Sequence, residues 1–272
     1  MAFSFKRAAA TLAGSLLLAA GAHAADTRLV VTGSSTVAPL ALEIGKRFEH
    51  DNPGVRVDVQ SGGSSRGIND ARSGLADIGL ASRALKPEEA DLHAETIAID
   101  GIGLIVHADN PVKALSDTQV RAIYTGAVTN WKAVGGPDRR ITVVNKAEGR
   151  STLALFLHHF GLTSRDIRAQ VVIGDNEQGI KTVAGNPGAI GYVSVGTAEF
   201  DQAQGVPIRL LPMAGIAATV ENVARGRFPL ARPLNLVTKG TPGALAQRFI
   251  AFARSDRVDD LVRNQFFVPL GR

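Results

Sequence analysis

The loop at residues 145–152 reads NKAEGRST, and it joins a predicted strand at 141–144 to a predicted helix at 153–160. A loop that leads from a strand into a helix presents unpaired backbone N–H groups and the positive end of the helix dipole. This loop also carries two cations and two hydroxyls, which belong to Lys146, Arg150, Ser151 and Thr152. The combination is typical of a site that binds a small anion.

Two earlier loops repeat this chemistry. Residues 32–36 read TGSST and residues 61–67 read SGGSSRG, and each loop again follows a strand pattern and precedes a helix pattern. Serines and threonines at such positions are often simple helix caps, so each loop alone leaves both interpretations open. Three loops of this kind in one chain favour ligand capture, and the candidate residues in the two earlier loops are Ser35, Thr36, Ser64 and Ser65.

A further candidate pair, Ser82 and Arg83, follows the predicted strand at 78–80. In open α/β sheets, ligands gather beyond the carboxyl ends of the strands. A guanidinium at that edge is able to fork onto an oxyanion. An exposed arginine in a turn is the alternative interpretation.

The first 24 residues have the features of a cleaved signal peptide. Lys6 and Arg7 precede an apolar run at 8–21 that is too short to cross a bilayer, and AHA at 22–24 suits signal peptidase. We therefore predict an exported, periplasmic protein that begins at Ala25. The sequence contains no cysteine, so disulfides play no part in its stability.

The charge balance argues against several classes of partner. Removal of the signal peptide takes away two of the 30 basic residues and leaves 28 against 25 acidic ones. This excess is modest and scattered, whereas a nucleic-acid-binding surface has clustered basic residues with interleaved aromatic residues. No spacing typical of a metal or cofactor site is present. We expect no nucleic acid, no metal and no cofactor.

Strand-like and helix-like patterns alternate along the rest of the chain, which predicts an α/β fold with a largely parallel sheet. Residues 86–93 have the composition of a surface helix. Thr241 and Pro242 have the residue types of the N-cap and first position of a helix that extends through Phe252.

One motif supports a different class of protein. Residues 63–67 read GSSRG and match the G-x-S-x-G pattern of hydrolase elbows, in which Ser65 would be the nucleophile. A hydrolase also needs an acid and a histidine that meet this serine, and His107, His158 and His159 are present downstream. The short pattern is common by chance, and no HGGG-like oxyanion loop precedes it. A secreted serine hydrolase is therefore a remote alternative, and we predict that the chain is not an enzyme.

Longer motifs then occur in a recognisable order. GSSTVAP at 33–39, GLADIGLASR at 74–83 and IYTGAVTNW at 123–131 are followed by GGP at 135–137 and GAIGY at 188–192. Together they resemble the periplasmic phosphate-binding subunits of ABC phosphate transporters, within the type II periplasmic binding proteins. The tyrosine-to-tryptophan block with its following glycines is the specific part of this resemblance.

The resemblance implies two α/β lobes that are joined by a hinge and close over one anion. It divides the chain into lobe one at residues 25–106, lobe two at 107–228 and a return to lobe one at 229–272. It also implies capture of phosphate for an ABC importer, with an inner-membrane permease as partner and a monomeric state. Binding of sulfate, arsenate or molybdate, and a receptor that serves a sensor, are the alternatives.

The resemblance assigns individual residues as well. Thr36 and Val37 match the first phosphate-contacting loop, Ser64 matches the second loop, and Lys146 and Thr152 match the third. The third loop departs from the family pattern, because lysine replaces arginine at 146 and a bulky arginine replaces a serine at 150, where the loop is tight.

Arg83 stands where well-studied members place an aspartate that accepts a proton from phosphate. The change removes a carboxylate that would repel an acceptor-only ion such as sulfate, so a more fully ionised oxyanion is favoured. We expect Lys146, Arg83 and Arg150 to supply the positive charge of the site. Ser82 and Ser151 complete the set of candidate ligand-binding residues.

Overall fold

The computed structural model describes residues 27–271, and the predicted signal peptide at residues 1–24 lies outside the described residues. The strands are β1 Arg28–Gly33, β2 Arg56–Ser61, β3 Ile78–Ala81, β4 Leu92–His107, β5 Thr142–Lys146, β6 Val171–Ile173, β7 Ala189–Ser194, β8 Ile208–Leu211 and β9 Ala231–Lys239. The helices are α1 Ala38–Asp51, α2 Ser64–Ser73, α3 Asp117–Tyr124, α4 Ser151–Phe160, α5 Asn176–Ala184, α6 Val195–Ala203, α7 Val220–Ala224, α8 Ala244–Ala253 and α9 Asp259–Asn264.

The strands form a sheet in the order β2-β1-β3-β9-β4-β7-β5-β6, and β8 pairs with β4. The pairs at the two ends are parallel: β1 with β2 and β3, and β5 with β6 and β7. The pairs that involve β4 and β9 are antiparallel. The α/β class is as predicted, but the expectation of a largely parallel sheet is wrong for the middle of the sheet.

The apolar side chains form separate cores on the two sides of the antiparallel strands β4 and β9. In the first core, α1 packs against α8, and the rings of Phe48 and Phe249 meet edge to face with centroids 5.4 Å apart. In the second core, the rings of Phe156 on α4 and Tyr192 on β7 stack with centroids 3.9 Å apart. Two smaller clusters accompany these two cores. Separate cores on the two sides are what two separately packed α/β units require.

Strand β4 passes from the first core to the second. Its first part pairs with β9, and its second part pairs with β7 and β8. Ala98 belongs to the first core and Ile102 to the second. Between them, Asp100 lies opposite Arg232 of β9 in the antiparallel register. The chain therefore connects the two cores through a pair of adjacent strands that carries two opposite charges.

Strand β9 and the residues just before it also pass between the two cores, in the opposite direction. Leu230 packs in the second core and Leu234 in the first. The lobe boundaries predicted at residues 106/107 and 228/229 lie within a few residues of these changes, and they stay a prediction.

Two local predictions are wrong. Residues 86–93 do not form a surface helix: a single 3-10 turn covers Pro87–Glu89, and β4 begins at Leu92. The reason is that the Glu89 carboxylate is buried and accepts from the Lys86 N–H at 2.8 Å, so it does not belong to a solvated helix face. Helix α8 begins at Ala244 with Gly243 as its N-cap, two residues later than Thr241 and Pro242 suggest.

Three helix N-termini point to the same edge of the sheet, because α1, α2 and α4 follow β1, β2 and β5 directly. Gly67 lets α2 pack closely on the sheet, since a β-carbon there would lie 2.5 Å from the carbonyl oxygen of Thr32. Within residues 27–271, the helices are too short or too polar to span a membrane.

Candidate anion-binding site

Six polar side chains meet between the two cores. We call this group the cradle, and its members are Thr36, Ser82, Lys146, Thr152, Asn176 and Arg232. Each of them is at most 5% exposed. Because water is excluded, charges and hydrogen bonds in this place act more strongly than they would at the surface.

The guanidinium of Arg232 is the centre of the cradle. Its Nη1 donates to Thr152 Oγ1 at 2.9 Å and to Ser82 Oγ at 3.3 Å. Its Nη2 donates to Thr36 Oγ1 at 3.2 Å. Thr36 and Ser82 follow strands of the first core, whereas Thr152 lies in the first turn of α4 in the second core. Arg232 therefore connects hydroxyls from both sides of the cleft.

Asp100 neutralises Arg232 from behind the cradle. Arg232 Nε and Nη2 donate to Asp100 Oδ2 at 3.1 and 2.9 Å, and both side chains are 1% exposed. The other oxygen, Oδ1, accepts from Ser194 Oγ at 2.9 Å and from the Gly196 N–H at 3.2 Å. Both carboxylate oxygens are thus occupied by protein donors, so Asp100 orients Arg232 and does not face a ligand.

Lys146 supplies a second cation. Its Nζ donates to Asn176 Oδ1 at 3.0 Å, and Asn176 Nδ2 donates to Thr36 Oγ1 at 3.3 Å. Burial lowers the pKa of Lys146 to about 7, and repulsion from the Arg232 guanidinium adds to this effect. An ammonium that is destabilised in this way is one that a bound anion would stabilise.

The cradle offers donors that have no acceptors. Thr36 and Thr152 both accept from Arg232, yet neither hydroxyl donates to any acceptor among residues 27–271. Ser151 Oγ is buried and has no hydrogen-bond partner in this range. The N–H groups of Ser151, Thr152 and Leu153 are also unpaired there, because α4 begins without a side-chain cap. Donors without acceptors are the chemistry that binds an oxyanion.

Four predicted residues flank this centre. Ser64 is buried, and its hydroxyl accepts from the Ser82 N–H at 3.2 Å. Val37 is the N-cap of α1, and its side chain is buried in the first core. Ser35 lines a cavity of about 340 Å³ that Asn176 also borders. Ser65 is exposed at the start of α2. The structure places these residues beside the cradle, and their part in binding stays a prediction.

Arg83 requires a correction. Its guanidinium forms a buried bidentate ion pair with Glu89, at 2.7 Å for each of the two hydrogen bonds. The charge that we expected Arg83 to give to an anion is therefore already neutralised. The reason is local, because the turn at Pro87–Glu89 brings the carboxylate back onto the strand end.

Arg150 is arranged differently from Arg83. The side chain of Arg150 has no hydrogen bond or ion pair to residues 27–271, and it lies against Gly63 and Gly174 on opposite sides of the cleft. Its charge is felt inside the cradle, since Arg150 contributes to the lowered pKa of Lys146.

Arg232, Asp100 and Asn176 are not among the residues that the sequence predicts for the site. None of them lies in the three loops. A signal was available for two of them, because Asp100 and Arg232 are single charges within apolar runs, and such charges need a partner when they are buried. No comparable signal marks Asn176, which reads as an ordinary residue in the first turn of α5.

Comparison with known proteins places this arrangement in a family. A family model described as a PBP superfamily domain matches residues 19–257. The chain belongs to this family. The resemblance found in the sequence is therefore confirmed at the level of the superfamily.

Individual members of the PBP superfamily are similar over most of their length. The phosphate-binding protein PstS of Bacillus subtilis is 29% identical over 258 residues, which cover 93% of this chain and 84% of that relative. A phosphate ABC transporter substrate-binding protein from Clostridium perfringens, whose crystal structure contains bound phosphate, is 33% identical. Its TM-score is 0.83, over 90% of this chain and 100% of that one. An ABC-type phosphate transport receptor from Vibrio cholerae gives 29% identity and a TM-score of 0.71, over 89% and 100% of the two chains.

These relatives are binding proteins by name, in agreement with the prediction of a binding protein and not an enzyme. The hydrolase alternative gains no support from the surroundings of Ser65. This serine lines a cavity of about 190 Å³ together with Arg83, Glu148 and Arg150, and no histidine is among the residues that line it.

Proposed function

We propose that this protein captures inorganic phosphate outside the cytoplasm and presents it to an ABC importer. The observation that carries this function is a group of donors that have no acceptor among residues 27–271: the Thr36 and Thr152 hydroxyls of the cradle, and beside them the Ser151 hydroxyl and the first N–H groups of α4. A donor-only site suits an ion that has only acceptor oxygens or few hydrogens. Phosphate is the preferred ion because the relatives are named for phosphate, and one of them was solved with phosphate bound.

The number of donors is sufficient for tight binding. Each hydrogen bond to a charged group contributes about 1.5–3 kcal/mol net. A micromolar dissociation constant corresponds to about 8 kcal/mol. Roughly four to six contacts therefore suffice once the costs of association and of lobe closure are subtracted. The available donors are the Thr36, Ser151 and Thr152 hydroxyls, the Lys146 ammonium and the first N–H groups of α4. The five N–H groups of Arg232 are all engaged by protein acceptors, so Arg232 contributes its charge and holds the hydroxyls in place.

Closure of the cleft follows from where these donors lie. Direct contacts already cross it: the Ser65 N–H donates to the Gly149 carbonyl at 3.2 Å, and Arg232 on β9 reaches Thr152 on α4. An anion that binds Thr36 and Thr152 together adds a further contact between the two sides. Because it binds the closed form better than an open one, the anion shifts the population to the closed form. A permease that recognises the closed form would thereby sense occupancy.

We extend the proposal to the organisation of the protein. The lobes comprise residues 25–106 with 229–272, and residues 107–228, and the adjacent Asp100 and Arg232 mark the connecting strands. A signal peptide at residues 1–24 would direct export to the periplasm, where the protein acts as a monomer with an inner-membrane permease. The basic flank and the small-residue cleavage pattern of that segment support export.

Isothermal titration calorimetry of residues 25–272 against phosphate at neutral pH tests the function. We expect one site per chain with micromolar or tighter affinity, and a higher melting temperature in the presence of phosphate. Arsenate should compete, because it has the same shape and charge. Absence of binding heat together with an unchanged melting temperature at millimolar phosphate would refute the proposal.

A further inference from the structure

The cradle has no carboxylate with which to recognise a proton on its ligand. Asp100 is the buried acid behind it, and both of its oxygens already accept from Arg232, Ser194 and Gly196. A protonated oxyanion would therefore find no special acceptor for its hydrogen. A site of this kind distinguishes oxyanions by their total charge and not by their protonation.

Arg150 is a cation near the cradle whose charge is not neutralised by an ion pair among residues 27–271. It is the N-cap of α4 on the second-core side, and its stem comes close to Gly63 on the first-core side of the cleft. A β-carbon at Gly63, the N-cap of α2, would lie 3.0 Å from Arg150 Cδ. A β-carbon at Gly174 would lie 3.2 Å from Arg150 Nη2. Glycine at both positions leaves room for the arginine to lie across the cleft.

The guanidinium of Arg150 also lacks a counter-ion. Within residues 27–271 it makes no salt bridge, whereas Arg232 is paired with Asp100 and Arg83 with Glu89. The carboxylate of Glu148 lines the same cavity but is not within ion-pair distance of Arg150. Burial and then Arg232 lower the pKa of Lys146 most, Asp175 raises it, and Arg150 lowers it by a smaller amount, so the charges of both Asp175 and Arg150 reach the cradle.

We propose that Arg150 makes the cradle select tetrahedral oxyanions by charge, so that doubly charged ions bind in preference to singly charged ones. This inference rests on the proposed function and names the ligand class of the same site. The Coulomb energy between a fixed cation and an anion is proportional to the charge of the anion. Removal of the Arg150 charge should therefore change the logarithm of the affinity twice as much for a dianion as for a monoanion.

The test compares phosphate and sulfate at about pH 5.5, where phosphate is mainly singly charged and sulfate is doubly charged. Lys146, with its pKa of about 7, is then mostly protonated in every variant. We expect sulfate to bind more tightly than phosphate to the unmodified protein. In Arg150→Gln, calorimetry should show an affinity that is about tenfold lower for sulfate and about threefold lower for phosphate. Equal losses, or tighter binding of phosphate than of sulfate by the unmodified protein, would overturn the inference.

A second variant moves the guanidinium without removing it. Gly174→Ala places a methyl group against Arg150 Nη2, and the backbone at Gly174 is not in the left-handed region that only glycine tolerates. We expect it to weaken sulfate binding in the unmodified background and to have no further effect in Arg150→Gln. If the two substitutions lower the free energy of sulfate binding additively in this double-mutant cycle, positions 150 and 174 act separately, and the result counts against the inference.

The outcome also distinguishes this inference from the proposed function. One outcome is that the unmodified protein binds phosphate at neutral pH, while Arg150→Gln lowers the affinities for phosphate and sulfate by the same factor. That outcome disproves only the role of Arg150. An unmodified protein that binds neither anion at either pH disproves the proposed function itself. Melting temperatures of all variants establish that each one is folded.

Discussion

Replacement of Arg232 by methionine should separate the stability of the connecting strands from anion binding. The substitution keeps most of the side-chain volume but leaves the carboxylate of Asp100 buried without its cation. Asp100 is 1% exposed, and it would keep only the Ser194 hydroxyl and the Gly196 N–H as donors. Removing one partner of a buried ion pair typically costs about 3–5 kcal/mol.

The expected shift in melting temperature follows from this free energy. For a chain of this size, 1 kcal/mol corresponds to about 2–4 °C, so Arg232→Met should lower the melting temperature by roughly 6–20 °C. Calorimetric unfolding in phosphate-free buffer measures this directly. The same variant should bind no phosphate, because the cradle loses its central cation and the bonds that position the Thr36 and Thr152 hydroxyls.

The matched control is the double variant Asp100→Asn with Arg232→Met. It removes the uncompensated charge, so most of the lost stability should return, while phosphate binding should stay absent. The reasoning is refuted if the single variant is as stable as the double variant, since the carboxylate would then not depend on Arg232. It is refuted equally if Arg232→Met binds phosphate normally.

Three further predictions concern individual groups. The pKa of Lys146 is lowered to about 7, mainly by burial, so above that pH the free protein loses the ammonium and must regain a proton to use it. Phosphate affinity should therefore fall by up to about tenfold per pH unit from pH 7 toward the ordinary lysine value, and calorimetry of Lys146→Arg should show a flatter profile. Thr152→Val should weaken phosphate binding about tenfold or more, whereas the control Thr182→Val, on a half-buried threonine of α5 outside the cradle, should not change it. Glu89→Gln should lower the free energy of unfolding by about 1–3 kcal/mol, because Arg83 loses its charged partner, but leave phosphate affinity within threefold. A tenfold gain of affinity in Glu89→Gln would show that the freed charge of Arg83 acts on the bound ion.

The parts of the site that the sequence predicts are those that depend on short-range order. The loop at residues 145–152 follows a strand and precedes a helix, so its free N–H groups and hydroxyls can be placed from local patterns alone. The structure indeed puts Lys146 and Thr152 in the cradle. Thr36 and Ser82 also lie there, because each follows a strand whose carboxyl end is at the same edge. Local signals suffice where strand order does not have to be known.

The parts that sequence reasoning missed depend on which distant strands are neighbours. Arg232 and Asp100 are 132 positions apart in the sequence, and only the antiparallel pairing of β4 with β9 brings them together. Without that register, the guanidinium of Arg83 is the more obvious ligand, since it follows a strand in a recognised motif. The structure shows that Glu89, six residues later, takes that charge.

Arg232 lies on a strand that connects the two lobes, so anion binding beside it affects the equilibrium between the open and closed forms. Its guanidinium holds hydroxyls of both lobes by their oxygen atoms, which leaves the hydrogens of Thr36 and Thr152 in need of an acceptor. In the same place the pKa of Lys146 is lowered, first by burial and then by repulsion from Arg232. Closing the lobes without an anion would therefore bring two cations and two unpaired hydroxyls together in a space from which water is excluded, at a cost in free energy. An oxyanion accepts both hydroxyl hydrogens and neutralises the cations at once. The preference for the closed form thus comes from the ligand, because the anion accepts from the Thr36 and Thr152 hydroxyls, for which residues 27–271 supply no acceptor.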